Sequence, residues 1–493
     1  MSSKPLGVCF IEGWFVMVFR NVAYILLTFK RSKCPKEAVL RKCLYQNHIK
    51  GPIYFRDNTS AYINDLNVEY NRRVIFYPTA FVHAIDVLDV QKTIKCAAKL
   101  KYPIVTRSGG HSFEGYGIGD RDCYLVVDLA TFNQIIIDAA SETAIVGPGN
   151  RIESIYKLAL QGFAFPGGTC PWVGTGGLIT GGGYGFLNRK FGMSADNILD
   201  AEIVLANGTI IHSVKKYPEL LWTIRGAGNA GYGIITAFNL RMHPIQKLSS
   251  HLNLYYDLDQ APLVLSVTNQ LGSNLHRNLT MLLRFNANSI HIHGIYLGPA
   301  SELQLIVREY VKLTKPKNIT CEENNLYHIL ADGIADSKGY FKAKSFLIDS
   351  KGLSDKGIKT FIKFIKGFKC EIYSVILLVG GGKVNDVGRN ETAYVHRGFL
   401  YHMEVKITLT SGNSESSEIC LQELDNFSRE FRRNYTSNES YQNLNDRELD
   451  NWQCRYYNEN FERLVEIKRK YDPHNLFYWA QSMPTHTKIS CNY

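Results

Sequence analysis

Two glycine-rich stretches dominate the chain, RSGGHSFEGYG at residues 107–117 and FPGGTCPWVGTGGLITGGGYG at residues 165–185. Glycine tolerates positive φ and has no side chain, so such loops let a flat, phosphate-bearing ligand lie close to backbone amides. Each loop also contains one nucleophilic side chain, the imidazole of His111 or the thiol of Cys170. The loops therefore predict a large-cofactor site with two candidate points of covalent attachment.

The residues around these loops alternate between strand and helix patterns. An apolar run, VIFYP at 74–78, precedes the helical stretch AIDVLDVQKTIKCAAKL at 84–100, which leads into PIVTR and the first loop. Strand, helix, strand and glycine loop is the order expected of a cofactor-binding α/β unit. Downstream, AEIVLANGTIIH at 201–212 predicts a hairpin that turns at Asn207-Gly208, and YGIITAFNLRM predicts a strand that closes this unit.

From about residue 248 to residue 412 the pattern changes. The stretches HLNLYYDL, SIHIHGIYL, YSVILLV and LYHMEVKITL alternate as strands do, and SELQLIVREYVKL is helical. This part predicts an antiparallel sheet covered by helices. The stretch at 458–484 then predicts a helix followed by a proline-punctuated tail.

Composition and charge limit the class of protein. A length of 493 residues suggests two or three domains. The formal charge of +11 comes from 56 basic and 45 acidic residues that are scattered along the chain, so we expect no nucleic-acid partner. Eleven cysteines and eight N-x-S/T sequons point to the secretory pathway; the sequon asparagines are Asn58, Asn207, Asn278, Asn318, Asn390, Asn426, Asn434 and Asn438.

The N-terminal segment contains a mostly apolar run from Trp14 to Phe29, which Arg20 interrupts. A secretory signal would be shorter and uncharged, and a membrane span would need about 20 apolar residues without a central charge. The alternatives are an atypical signal or signal-anchor, an interfacial helix, or an extension without function. We therefore expect a secreted protein, or one anchored to the membrane by its N-terminus.

Other motifs are excluded by their context. Residues 226–231, GAGNAG, match the dinucleotide fingerprint G-x-G-x-x-G, but that motif needs a helix after it and here a strand pattern follows. We find no zinc-ligand spacing, phosphate-binding G-x-x-x-x-G-K or G-x-S-x-G elbow, and we expect no metal. The segment 226–231 is predicted to be a loop beside the cofactor.

The two glycine loops resemble those of the berberine bridge enzyme-like branch of the vanillyl-alcohol oxidase flavoproteins, including its fungal oligosaccharide oxidases. In that family a His of R-S-G-G-H and a Cys of G-x-C-x-x-V-G bind the flavin 8α and C6 atoms, which implies bicovalent FAD on His111 and Cys170. The resemblance runs from about Cys43 to Pro484 and implies a Cys43–Cys96 disulfide.

The resemblance also implies an α+β fold with a two-part FAD-binding domain of the vanillyl-alcohol oxidase type and a substrate domain. We expect an extension at 1–42, the FAD-binding domain at 43–245, the substrate domain at 246–440 and a returning C-terminal segment at 441–493. Besides His111 and Cys170, the expected cofactor-binding residues are Arg107, Ser108, Gly109, Gly110, Ser112, Gly174, Thr175, Gly176, Gly177, Gly181, Gly182, Gly183, Tyr184, Gly185, Asn197, Gly233 and Ile234.

The segment Tyr441-Gln-Asn443-Leu444-Asn-Asp446 resembles the Y-x-N-Y-x-D motif of the family. In the family, the second aromatic residue of this motif serves as the general base or lies beside it. This chain has Leu444 at that position, and leucine cannot accept a proton. Tyr441, with Asn443 beside it, or a residue of the substrate domain must then act instead. Val173 is expected to leave room for O₂ beside the flavin.

These features predict a monomeric FAD-linked oxidase that moves a hydride from a hydroxyl-bearing carbon to FAD and then to O₂. The small-molecule substrate would be a carbohydrate or oligosaccharide first, and an alkaloid-like or aromatic alcohol second. The alternatives are an inactive FAD-binding surface protein and a dehydrogenase that uses other acceptors.

Overall fold

The computed structural model describes residues 34–331, 338–412 and 414–491. The apolar run from Trp14 to Phe29 and the extension before Cys34 lie outside these ranges. No helix of the described ranges is both long enough and apolar enough to cross a membrane.

The first part of the chain contains two sheets with short helices around them. Its elements are α1 (Glu37–Gln46), β1 (Ile53–Phe55), α2 (Thr59–Leu66), β2 (Ala80–His83), α3 (Val87–Leu100), β3 (Ile104–Arg107), β4 (Leu125–Asp128), β5 (Ile135–Asp138), β6 (Thr143–Val146), α4 (Ile152–Tyr156), β7 (Phe163–Ala164), α5 (Thr175–Thr180), α6 (Asn188–Phe191), β8 (Ile198–Val204), β9 (Ile210–Ile211), α7 (Pro218–Ile224), β10 (Ile234–Arg241) and β11 (His243–Pro244).

The first sheet has the order β1-β2-β4-β3, with β2, β4 and β3 parallel. Helix α3 connects β2 to β3 and begins at Asp86, whose side chain accepts a hydrogen bond from the Asp89 N–H. Its buried face includes Val90, Ile94 and Ala97, which pack in the core of this sheet. The predicted strand–helix–strand–loop order is therefore confirmed.

One boundary in this unit is wrong. The strand expected at 74–78 is irregular, and the strand that pairs with β4 is Ala80–His83. Pro78 lies just before it and has no N–H to donate, which disfavours a place inside a sheet.

The second sheet is antiparallel, with the order β5-β6-β10-β8-β9. Strands β8 and β9 form the predicted hairpin, and Gly208 takes a φ of 81° in its turn. The second glycine loop lies between β7 and α6, and α5 forms part of it.

The middle part of the chain forms a seven-stranded antiparallel sheet with the order β15-β12-β14-β13-β17-β18-β16. Its elements are β12 (Ser249–Asp257), α8 (Ala261–Leu271), β13 (Leu279–Phe285), β14 (Ser289–Tyr296), α9 (Ala300–Thr314), β15 (Asn318–Asn324), α10 (Leu326–Ala331), β16 (Phe341–Asp349), α11 (Asp355–Gly367), β17 (Ile372–Val379), β18 (Phe399–Thr408) and α12 (Glu415–Tyr435).

Alternation along each strand gives this sheet two different faces. The pair Leu377 and Met403 belongs to a large core that also contains residues of α8, α9, α11 and α12. The pairs Leu378–His402 and Ile376–Glu404 lie on the other face. The predicted helix-covered sheet is confirmed, and its uncovered face is available to a ligand.

The last part, α13 (Trp452–Tyr457) and α14 (Phe461–Tyr471), returns to the first part of the chain. Phe477 forms a bridge with Ile104 of β3. The buried Lys468 ammonium is paired with Asp472 at 2.6 Å and donates to the carbonyl of Gly231.

Disulfides connect distant parts of the chain. Cys43–Cys96 is present, as the resemblance implies. Sequence reasoning left open the pairings Cys34–Cys123, Cys370–Cys420 and Cys454–Cys491, which are also formed. Within the described ranges, Cys170 and Cys321 are free thiols. Disulfides are typical of proteins that fold in an oxidising compartment.

Candidate active site

A cavity of about 340 Å³ lies between the two glycine loops and the uncovered face of the seven-stranded sheet. His111 and Cys170 both line it, together with His402, Glu404 and Lys406 of β18. The cavity thus joins the parts of the chain expected to bind a cofactor with side chains of the seven-stranded sheet.

The glycine loops approach each other so closely that side chains would not fit. A Cβ on Gly109 would lie 2.5 Å from the backbone nitrogen of Gly174, and a Cβ on Gly174 would lie 2.3 Å from that of Gly109. Gly110 takes a φ of 61°, which favours glycine. The Ser108 hydroxyl donates to the Pro148 carbonyl and accepts a bond from the Gly176 N–H. These contacts explain why the wall is made of bare backbone.

His111 is stacked on Tyr70, with ring centroids 3.7 Å apart. Its Nε2 atom is buried and has no hydrogen-bond partner. Burial, followed by the charges of Lys406 and Arg151, lowers the pKa of His111 to about 3. The ring is therefore neutral at physiological pH, so it keeps a free lone pair for nucleophilic attack.

Cys170 is a half-buried free thiol at the opposite loop. Burial raises its pKa, although the N–H groups of Trp172 and Val173 act in the other direction. Val173 also lines the cavity and packs against a neighbouring apolar cluster.

The residues present fit a flavin nucleotide. A buried, unpartnered nitrogen on His111 requires a partner. A Cβ on Gly177 would meet nothing within 4 Å, which leaves open space along the backbone of the second loop. Backbone amides of such loops bind phosphate oxygens. His111, Cys170 and the two glycine loops are the groups that would hold FAD.

The structure brings most of the expected site residues to this cavity. Those that line it are Arg107, Ser108, Gly109, Gly110, His111, Ser112, Cys170, Val173, Gly174, Gly176, Gly177, Tyr184, Gly233, Ile234, Tyr441 and Asn443. Arg107 contributes only part of its side chain to the cavity wall, because its guanidinium is paired with Asp65 and Asp128 at 2.6 Å.

Six expected residues lie behind the wall instead: Thr175, Gly181, Gly182, Gly183, Gly185 and Asn197. The Thr175 hydroxyl donates to the Gly147 carbonyl at 3.2 Å, and the Asn197 amide donates to the Met193 carbonyl at 2.9 Å. The first of these bonds holds the second loop, and the second lies in the segment that follows α6.

Tyr441 and Asn443 face the cavity from the C-terminal segment. The Tyr441 hydroxyl accepts hydrogen bonds from the Gly183 N–H at 2.8 Å and from the Asn443 amide at 2.9 Å. Burial raises the pKa of Tyr441 above its ordinary value, although the two donors oppose this. Tyr441 is therefore protonated, and its own O–H remains available to donate. Leu444 lines the same wall.

Sequence reasoning missed the residues of β18. His402 has a buried Nε2 without a hydrogen-bond partner, and burial together with the charge of His396 lowers its pKa to about 3. Glu404 and Lys406 follow on the same strand face. The alternation in LYHMEVKITL was the signal, but it does not say which face meets the cofactor.

The fingerprint-like segment 226–231 forms a short 3-10 helix at Gly228–Ala230 and leads directly into β10. Gly228, Asn229 and Gly231 line the cavity, as predicted for a loop beside the cofactor.

Comparison with known proteins gives the family. Two family profiles match, "FAD binding domain" over residues 78–213 and "Berberine and berberine like" over residues 440–484. The monolignol oxidoreductase AtBBE-like 13 of Arabidopsis thaliana is 30% identical, with 80% of this chain and 82% of that protein covered.

Solved structures agree. Wild-type BBE-like 1 of Physcomitrella patens superposes with a TM-score of 0.84 and 31% identity over 91% of this chain and 99% of that one. A chitooligosaccharide oxidase superposes with a TM-score of 0.82 and 25% identity over 91% of this chain and 100% of that one. The α+β fold, the FAD-binding domain and these relatives together show that the chain belongs to the berberine bridge enzyme-like family of FAD-dependent oxidoreductases.

Proposed function

We propose that this enzyme is an oxidase that removes a hydride from a carbon bearing a hydroxyl group and passes the electrons to O₂. The observation that carries the proposal is that one cavity contains both candidate flavin anchors, His111 and Cys170, and a carboxylate, Glu404, on the opposite wall. FAD supplies the hydride acceptance and the reaction with O₂. The residues of the chain bind and orient the substrate and move its proton.

We assign the base to Glu404. Tyr441 is poorly suited, because burial raises its pKa and its oxygen already accepts two hydrogen bonds. A carboxylate beside the substrate hydroxyl can take the proton as the hydride leaves. Tyr441 then acts as a donor that orients the same hydroxyl.

We propose that His111 and Cys170 each form a covalent bond to the flavin. The neutral ring and unpartnered nitrogen of His111 support the first bond. The free thiol of Cys170 on the facing loop supports the second. The glycines, Ser108, Ser112 and Tyr184 of the predicted set would hold the rest of the cofactor.

The proposed electron acceptor is O₂. This proposal depends on the space that the Val173 side chain leaves in the cavity wall. In a close-packed wall one additional methylene has little space. Val173 packs against the apolar cluster beside the cavity, so a larger side chain would project into it.

The lining supports an alcohol with a largely apolar body. Leu282, Ile376, Leu378 and Leu444 line the cavity, and Ile376 is paired with Glu404 across strands β17 and β18. A carbohydrate would leave hydroxyl groups against these side chains without partners, which costs binding energy. We therefore place aromatic alcohols before oligosaccharides, which reverses the order suggested by the sequence.

We also propose that the protein is secreted, glycosylated and monomeric, with domain limits at 43–245, 246–440 and 441–493. The four disulfides support an oxidising compartment. Seven of the eight sequon asparagines are exposed, the exception being the half-buried Asn278.

The test is anaerobic mixing of the purified holoenzyme with aromatic alcohols and oligosaccharides, followed by exposure to air. We expect bleaching of the oxidised flavin by an aromatic alcohol and recovery in air. A flavin that no alcohol bleaches would favour an inactive FAD-binding protein, and one that stays bleached in air would favour a dehydrogenase.

A further inference from the structure

His396 lies outside the cavity wall, in the segment that connects strands β17 and β18 of the seven-stranded sheet. It precedes β18, and its side chain is fully buried. Two residues before it, the Tyr394 N–H donates to the Arg225 carbonyl at 3.0 Å, which attaches this segment to the first part of the chain.

Both ring nitrogens of His396 face oxygen atoms. The Nδ1 atom lies 2.6 Å from a carboxylate oxygen of Glu439, and the Nε2 atom lies 3.1 Å from the side-chain oxygen of Gln442. The orientation of the Gln442 amide is fixed independently, because its nitrogen donates to the Gly226 carbonyl at 2.6 Å. Reversal of the amide would place two acceptors against each other there.

A neutral imidazole carries one N–H and can donate to only one of these oxygens. The other nitrogen would then place its lone pair against an oxygen lone pair in a buried position. With two protons, the ring donates to both oxygens.

In that state the ring is a cation beside the Glu439 carboxylate. The second Glu439 oxygen accepts from Arg389 at 2.7 Å and from Asn458 at 3.0 Å, and Arg389 is also paired with Glu459 at 2.6 Å. Two carboxylates thus face two cations, Arg389 and the His396 ring. Other titratable groups near the ring include Tyr394, at 5.2 Å between ring centroids, and His402, whose depressed pKa reflects its burial and then the His396 charge. The buried Arg432 guanidinium donates to the Glu439 carbonyl at 3.0 Å.

We propose that His396 is a doubly protonated positioning residue, whose two donated bonds hold Glu439 and Gln442 and so fix the segment that presents Tyr441 and Asn443 to the cavity. The fixed segment is short, because Glu439 lies two residues before Tyr441 and Gln442 directly follows it. The Asn443 side-chain nitrogen donates to the Leu178 carbonyl at 3.0 Å, and its side-chain oxygen accepts from the Asn229 amide at 2.8 Å. The positioning part of this inference rests on the proposed oxidase function, whereas the protonation state does not.

The protonation state is tested by NMR of holoenzyme labelled with ¹⁵N-histidine at pH 8. We expect signals of a histidine with both ring nitrogens protonated that vanish in His396→Gln. In Glu439→Gln the new amide can donate to Nδ1, so the ring should carry a single proton. If the His396 ring of the wild type carries a proton on only one nitrogen, the inference is overturned.

The positioning role is tested by turnover with the alcohol that reduces the flavin. His396→Gln should lower kcat at least tenfold with unchanged flavin content, and Glu439→Gln, which can keep both hydrogen bonds, should stay within threefold of the wild type. His212→Gln is the control, because that histidine is exposed and paired with Glu202. Wild-type kcat in His396→Gln, or an equal loss in Glu439→Gln, would contradict positioning by these bonds. Should His396→Gln not fold, the spectra of the wild type and Glu439→Gln still decide the protonation state.

Discussion

Replacement of Glu404 by glutamine separates the two candidate proton acceptors of the cavity. Glutamine keeps the size of the side chain but cannot take a proton, and loss of a general base costs about 10²–10⁴-fold in rate. Tyr441→Phe removes one neutral hydrogen bond to the substrate, which is worth about 0.5–1.5 kcal/mol. Since about 1.4 kcal/mol corresponds to a factor of ten, that variant should slow by about two- to tenfold.

The assay is the rate of flavin reduction under anaerobic mixing with a saturating alcohol. Tyr441→Phe also leaves the Gly183 N–H without its acceptor, so the flavin content of each variant is measured first. Glu309→Gln, at an exposed position on α9, is the matched control and should behave as the wild type. Wild-type reduction by Glu404→Gln, together with a hundredfold loss in Tyr441→Phe, would refute the assignment and make Tyr441 the base.

Three further predictions concern oxygen, glycans and the disulfide. Val173→Ile should leave flavin reduction nearly intact but slow reoxidation in air at least tenfold, as stopped-flow absorbance would show; equal reoxidation rates would exclude a steric role. The mass lost on enzymatic deglycosylation should be one glycan smaller in Asn207→Gln than in the wild type, because Asn207 is exposed, and should be unchanged in Asn278→Gln, because the Asn278 amide donates to the Leu297 carbonyl at 3.0 Å and is half-buried; a glycan on Asn278 would show that this bond does not form. Replacing Cys43 and Cys96 by serine should lower the free energy of unfolding by about 4 kcal/mol in the chain-entropy model, checked by denaturant unfolding; an unchanged midpoint would contradict it.

The sequence predicted the FAD-binding domain because its signals are local. Glycines in loops such as 107–117 are needed for close backbone approach wherever the loop lies, so they are recognisable without the fold. The free state of Cys170 and its position opposite His111 needed the structure, since the two loops are separated by strands β4 to β7.

The substrate half was less predictable because a strand pattern does not say what covers each face. LYHMEVKITL gives the alternation of His402, Glu404 and Lys406, but only the seven-stranded order places that face against the glycine loops. The bonds of His396 likewise join two segments that are far apart in sequence, since Glu439 and Gln442 lie 43 and 46 residues further along the chain. The role of Asn197 in cofactor binding stays a prediction; its amide donates to the Met193 carbonyl.

The most direct test of the account is peptide mass spectrometry of the acid-precipitated, proteolysed protein. We predict one cross-linked species in which a single FAD joins the peptide of His111 to the peptide of Cys170. His111→Ala and Cys170→Ala should each keep flavin on the remaining peptide, and the double variant should release it on precipitation. Release of all flavin from the wild-type protein, with both peptides unmodified, would contradict the account.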